Sequence, residues 1–257
     1  MSYKLNWGNP KQDDFNSILD AYSNTSVNSN YTSSIPLAQY WKQTEKVLQN
    51  LSRSLHLKGK ENNVYFEYPT PSVGNAKSSM SDVMLITGNE KVAIEVKFTE
   101  VNENYESIKN WYSRVKTGNK VLPHWVEILR PFIKNADSIS KDSEIPYQFL
   151  HRTASACYVN NERAICLYQI FVSEETEENY KSFVEKLSSS IAELNPHDNL
   201  EFYIQKIHVI PRDLKRDLQK DDNFFGQIKN GEQLFSFGEE IFYKYNAEEN
   251  KFIHCEN

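Results

Sequence analysis

Asp82, Glu95 and Lys97 are the residues of this chain whose types and spacing could do chemistry, because the run Ser81–Lys97 sets them on two adjoining strands. Two apolar-rich runs, Val83–Ile86 and Val92–Val96, flank Gly88-Asn89, a dipeptide suited to a two-residue hairpin turn. Counting outward from that turn sets Thr87 against Glu90, Leu85 against Val92 and Asp82 against Glu95. The Cβ atoms of the last pair are then expected about 4.5–5.5 Å apart. Alternation along the strand puts Lys97 on the same face as Glu95 and turns Ile94 and Val96 away. Two carboxylates held so close push one pKa upward unless a cation offsets them. A hard divalent ion does this: Mg²⁺ takes one or two protein carboxylates and keeps positions for water and phosphate oxygens. Such an ion lowers the pKa of bound water for phosphodiester hydrolysis, while a nearby Lys orients or activates the nucleophile. The competing reading is a solvated sheet face on which charges alternate with core positions. Against it stands Ala93–Phe98, a strand apolar enough for burial, where unpaired charges are costly.

Asp82 followed by Glu95-Val96-Lys97 at the end of the next strand resembles the PD-(D/E)XK nuclease superfamily, which includes many type II restriction endonucleases. Ser81 stands where the family pattern has Pro. The resemblance implies an α/β fold, a restriction-endonuclease-like sandwich with a mixed central β-sheet flanked by helices. It implies Mg²⁺, with Mn²⁺ able to substitute, held by Asp82 and Glu95, and Lys97 acting on the attacking water. Members often bring a further acid from the preceding helix, and Glu45 is the positional match as catalytic and metal residue; Glu67 competes for that place. Gln148 and Arg152, one helical turn apart, correspond to a polar pair that restriction-like nucleases often carry on the helix after the catalytic strand. Lys77, in the loop leading into Asp82, is a further candidate to face a phosphate backbone. The resemblance covers roughly residues 36 to 210, and only the hairpin is specific.

The surrounding elements must position these groups. Pro36, Leu37, Trp41, Thr44, Leu48, Leu51 and Leu55 recur at helical steps and predict one amphipathic helix to about Leu57, ended by Gly59, with Glu45 bordering its stripe. Val64–Tyr68 reads as the first strand. Helices are expected around Tyr105–Val115, His124–Ile133 (bounded by Pro123 and Pro131), Tyr147–Tyr158 and Tyr180–Ile191. Strands are expected at Ala164–Val172 and Glu201–Ile210, with a terminal hairpin from Ile241–Tyr245 and Lys251–His254. The polar, turn-rich stretch Tyr22–Ser34 predicts an N-terminal arm over residues 1–35. A nuclease-like core over 36–210 and an extension over 211–257, its hairpin packed on the core, complete the division.

Composition bounds the partners. The chain has 257 residues and a net charge of −6, which counts against a surface that grips nucleic acid everywhere. Lys109, Arg114, Lys116 and Lys120, and again Lys206, Arg212, Lys215, Arg216 and Lys220, suggest a basic cleft opposite an acidic back around Glu174–Glu178. No run is long and apolar enough for a membrane span and the start lacks a signal-peptide core, so a cytoplasmic protein with no membrane partner is expected. Three cysteines without Cys-x-x-Cys spacing suggest neither a disulfide framework nor a zinc site. No Walker loop, GxGxxG turn, HExxH helix or Gly-x-Ser-x-Gly elbow is present. The expected function is a Mg²⁺-dependent endonuclease hydrolysing DNA, in restriction or defence by family analogy, with homodimerisation left open. The alternatives are a catalytically inactive nuclease-like module that binds nucleic acid or protein, and a nuclease acting on RNA or branched DNA.

Overall fold

A computed structural model describes residues 2–8, 14–23, 32–71, 73, 79–102, 105–115, 118–159, 162–212 and 223–255. Among these residues eight strands form one sheet: β1 (Ser2–Trp7), β2 (Glu61–Thr70), β3 (Ser79–Thr87), β4 (Glu90–Lys97), β5 (Arg163–Val172), β6 (Leu200–Pro211), β7 (Phe235–Asn246) and β8 (Lys251–His254). Their order across the sheet is their order along the chain. The β1–β2, β4–β5 and β5–β6 pairs are parallel, and the other neighbours are antiparallel. Helices cover both faces, giving the expected α/β architecture with a mixed central sheet. Among the described residues no helix is long and apolar enough to cross a membrane.

Alternation divides the core. On one face Met84, Ala93 and Tyr168 pack beneath α4 (Ile108–Arg114), α5 (Gly118–Leu129), α6 (Tyr147–Cys157) and α7 (Glu177–Leu194). On the other, Val83, Ile94 and Phe171 pack beneath α1 (Phe15–Ser23), α2 (Ser34–Trp41), α3 (Thr44–Ser54) and α8 (Phe224–Lys229). The β3–β4 hairpin turns at Gly88, whose φ of +57° suits glycine. Its ladder keeps the counted register, with Thr87 opposite Glu90, Leu85 opposite Val92 and Val83 opposite Ile94.

Several expectations change. The polar arm over 1–35 gives way to packed elements: β1 joins the sheet, α1 buries Ile18, Leu19 and Tyr22, and Ser34 and Ile35 begin α2. Residues 24–31 lie outside the described residues. The single helix from Pro36 is two, broken at Lys42-Gln43, where the Thr44 hydroxyl donates to the Trp41 carbonyl at 2.6 Å. That bond competes with helix continuation. Pro123 lies inside α5 and does not bound it. β7 and β8 belong to the common sheet, and α8 is an additional helix packed on α1.

Gly59 lies after α3 and against the hairpin. A Cβ there would stand 1.9 Å from Thr87 Oγ1 and 2.7 Å from the Thr87 carbonyl carbon. Since backbone must shift to relieve the second contact, Gly59→Ala is expected to destabilise by about 1–3 kcal/mol in chemical denaturation. An unchanged midpoint would show that the turn yields freely.

Farther along the sheet Arg163, at the start of β5, joins Glu90 at 2.8 Å and Glu201 at 2.6 Å. It also donates to the Leu55 carbonyl at 2.9 Å. These pairs tie the end of α3 to the starts of β4, β5 and β6.

Candidate active site

The β3–β4 ladder ends at Val83–Ile94, one pair short of Asp82 and Glu95. The Asp82 carboxylate extends the join, accepting the Val96 N–H at 2.7 Å through Oδ2. On its other side Phe66 pairs with Val83 and Tyr68 with Ser81, which leaves Glu67 beside Asp82 with no ladder partner. Glu67 has φ of +50° inside β2, a left-handed backbone uncommon for a residue with a Cβ. Glu95 in turn is in register with Tyr168 of β5. Glu67, Asp82, Glu95 and Tyr168 thus form one row across four adjacent strands, at a level where the sheet is open on both sides of β3.

Above this row lies α6. Arg152 forms an ion pair with Glu95 Oε2, and Lys97 reaches Glu95 Oε1 at 2.9 Å. Lys97 Nζ also lies 5.9 Å from the centre of the Tyr105 ring. His151, the next residue on α6, packs against Trp125 and Tyr147. Burial, reinforced by Arg152, holds it at about 3 and therefore neutral at physiological pH.

The two central carboxyls are driven apart. Burial first, then the neighbouring Glu95 charge, pushes Asp82 up to about 8. Burial alone would raise Glu95 too, but Arg152 and Lys97 outweigh it and keep that carboxyl ionised well below the usual range. Glu67 is also raised by burial, against the pull of Arg152, and Glu95 adds to the rise. The acid row therefore carries more negative charge than its two cations offset at high pH.

The Asp82 shift sets a sign for stability. Above the ordinary carboxyl value of 3.8 an unfolded Asp82 is ionised, whereas the fold retains its proton up to about 8. The folded chain then holds the extra proton, so stability falls as pH rises through that window. The metal-free protein is expected to lose up to about 1 kcal/mol per pH unit from this group between about pH 6 and 8. Urea denaturation across that range checks it; a flat profile, with the Asp82→Asn variant equally flat, would remove the shift.

The structure brings Asp82, Glu95, Lys97 and Arg152 together, with Gln148 lining the same pocket. It separates Glu45 from them. The apolar stripe of α3, Val47, Leu48 and Leu51, packs on the opposite face of the sheet. Glu45 is exposed beside that stripe, where Gln49 donates to it. Lys77 lies outside the described residues. Of the cations expected to form a basic cleft, Lys109, Arg114 and Lys206 are each paired with a carboxylate, Glu144, Glu106 and Glu177 respectively. Tyr168 and Tyr105 had no signal in the sequence; only the β4–β5 register and the path of the chain after β4 bring them to the site.

Among the described residues no group of three or more His, Cys, Asp or Glu side chains is set to share one metal ion. Two carboxylates are nonetheless a donor set that suits Mg²⁺, which completes its shell with water. The raised Asp82 identifies charge that a cation would offset.

Residues 13–209 match one family model, described as a domain of unknown function (DUF6946). No curated protein matches, and no solved structure does.

Proposed function

For this chain, which belongs to the DUF6946 family, we propose a metal-dependent phosphodiesterase, specifically an endonuclease hydrolysing DNA with Mg²⁺. The observation that carries the reading is the acid row with its two cations: Asp82 beside Glu95, and Lys97 and Arg152 both on Glu95. Asp82 and Glu95 would hold the ion, which supplies a water of lowered pKa and a Lewis acid for a phosphate oxygen. Lys97 is placed to orient the attacking water and offset charge developing on the phosphate. Arg152 offers a fork of N–H donors suited to phosphate, although Glu95 must share it. Glu67, not Glu45, is the further acid of the row, beside Asp82 and outside the pair that would hold the ion. A setting in restriction or defence rests on resemblance to the PD-(D/E)XK nucleases alone.

One observation favours the second reading, a nuclease-like module without catalysis. Both Glu95 oxygens are engaged, and the pocket bounded by Glu95, Lys97 and Arg152 has a volume of about 30 Å³, room for a water but not for a nucleotide. Calorimetric titration with Mn²⁺ separates the two. The nuclease reading expects a site that Asp82→Asn abolishes and Glu45→Ala leaves intact, together with cleavage of plasmid, single-stranded DNA or structured RNA. A wild-type protein that binds no Mn²⁺ would exclude it.

A further inference from the structure

The Tyr168 hydroxyl and Arg152 Nη1 are both buried and have no hydrogen-bond partner among the described residues. Tyr168 is only 4% exposed. Both residues line the same pocket, with Gln148, Phe149, Phe183 and Lys186 in its wall. Buried polar atoms are nearly always paired, and a guanidinium can only donate. Glu95 Oε2 also lacks a hydrogen bond but is taken by Arg152 Nε as an ion pair, so the Tyr168 hydroxyl and Arg152 Nη1 are left able to donate together to an acceptor from outside the chain.

Charge narrows its class. Lys97, Arg152 and Lys186 line the pocket against the single carboxylate of Glu95. Phe149, Phe183 and Leu187 supply apolar walls, which strengthen a charged hydrogen bond by lowering the local dielectric. The volume of about 30 Å³ admits one oxygen-sized group. We infer that this pocket is an oxyanion subsite taking a non-bridging oxygen of a phosphate group, with the Tyr168 hydroxyl and Arg152 Nη1 as donors and Lys186 at its rim. Its place beside a reacting phosphodiester rests on the phosphodiesterase reading, but anion binding itself requires no metal. The phosphate belongs either to a free anion or to a nucleic-acid backbone, and both present the same oxygen.

The test is thermal denaturation and calorimetry in the presence of a chelator, with inorganic phosphate in one arm and a short single-stranded oligodeoxynucleotide in the other. Wild-type protein is expected to melt a few degrees higher at ligand concentrations well above Kd. Tyr168→Phe is expected to bind on the order of tenfold more weakly. Without ligand this variant should be at least as stable as wild type, because it removes an unpaired buried hydroxyl; a hydroxyl serving only the fold would lower the melting temperature when lost. A shift with phosphate alone assigns the subsite to a free anion, and a shift with the oligonucleotide assigns it to the backbone. No shift in either arm, or an equal shift in Tyr168→Phe, overturns the inference. Because Mn²⁺ binding is measured separately on Asp82, either result leaves the metal reading to stand or fall by itself.

Discussion

Asp82→Asn is expected to abolish Mg²⁺-dependent cleavage, by on the order of a thousandfold or more, and to make the metal-free protein more stable. The two effects have opposite signs because one carboxylate serves two conditions. On the proposed phosphodiesterase reading, a ligand charge and the position of the activated water would depend on it when substrate and metal are bound, and losses of that size accompany removal of single groups that stabilise transition-state charge. Without metal, the same carboxyl is disfavoured by burial and by Glu95. Asn is close to isosteric and keeps an oxygen for the Val96 N–H, now at 2.7 Å, so the end of the hairpin stays joined. The gain should be at least about 1 kcal/mol at pH 8 and should shrink as pH falls. Cleavage assays and urea denaturation on one preparation check both effects. Wild-type cleavage by the variant would remove Asp82 from the mechanism, and lower metal-free stability at pH 8 would remove the electrostatic account.

Arg163→Met is expected to destabilise by about 3–5 kcal/mol, the usual range when one member of a buried ionic cluster is removed and its partners stay charged. Glu90 and Glu201 retain only 7% and 14% side-chain exposure, so water replaces the guanidinium poorly. Lys244 still reaches Glu201 at 2.8 Å, which leaves Glu90 the more exposed to the loss. Adding Glu90→Gln should recover part of the deficit, whereas a purely steric role for Arg163 would make the two changes additive. Mn²⁺ affinity should not change, because Glu90 and Arg163 stand at the starts of β4 and β5 while Glu95 and Lys97 stand toward the end of β4. Loss of metal binding in folded Arg163→Met would show that the two ends of the sheet are coupled.

The hairpin was legible because its information is local. Gly88-Asn89 sets the turn, alternation sets the faces, and together they predict the register found from Val83–Ile94 to Thr87–Glu90. Arg152 and Gln148 were legible for a similar reason, since helical spacing puts them on one side of α6. Glu45 was not. Its helix shows an apolar stripe, but periodicity does not say which face of the sheet the stripe covers, and α3 lies across the sheet from the acid row. Glu67 was recognisable as an acid near the site, yet the left-handed backbone at that position comes from strand pairing on both sides. β1 was masked by polar neighbours, and its partner β2 lies more than fifty residues onward. Tyr168 depends on a parallel pairing between strands separated by three helices, which no local pattern encodes.

The coincidence of sheet order with chain order bears on how the protein is made. No strand has to be inserted between two that are already paired, so the sheet can grow at one moving edge as the chain leaves the ribosome at about 5–20 residues per second. β1 is the exception in timing, because it must wait for β2 to emerge before it has a partner. After that, each new strand meets an edge whose ladder groups are free, and the interval between strands sets how long that edge stays open to other chains. The longest such interval separates β4 from β5, and it is filled by α4, α5 and α6. During synthesis these helices can cover the face that carries Asp82 and Glu95 before β5 arrives to close the edge beside it.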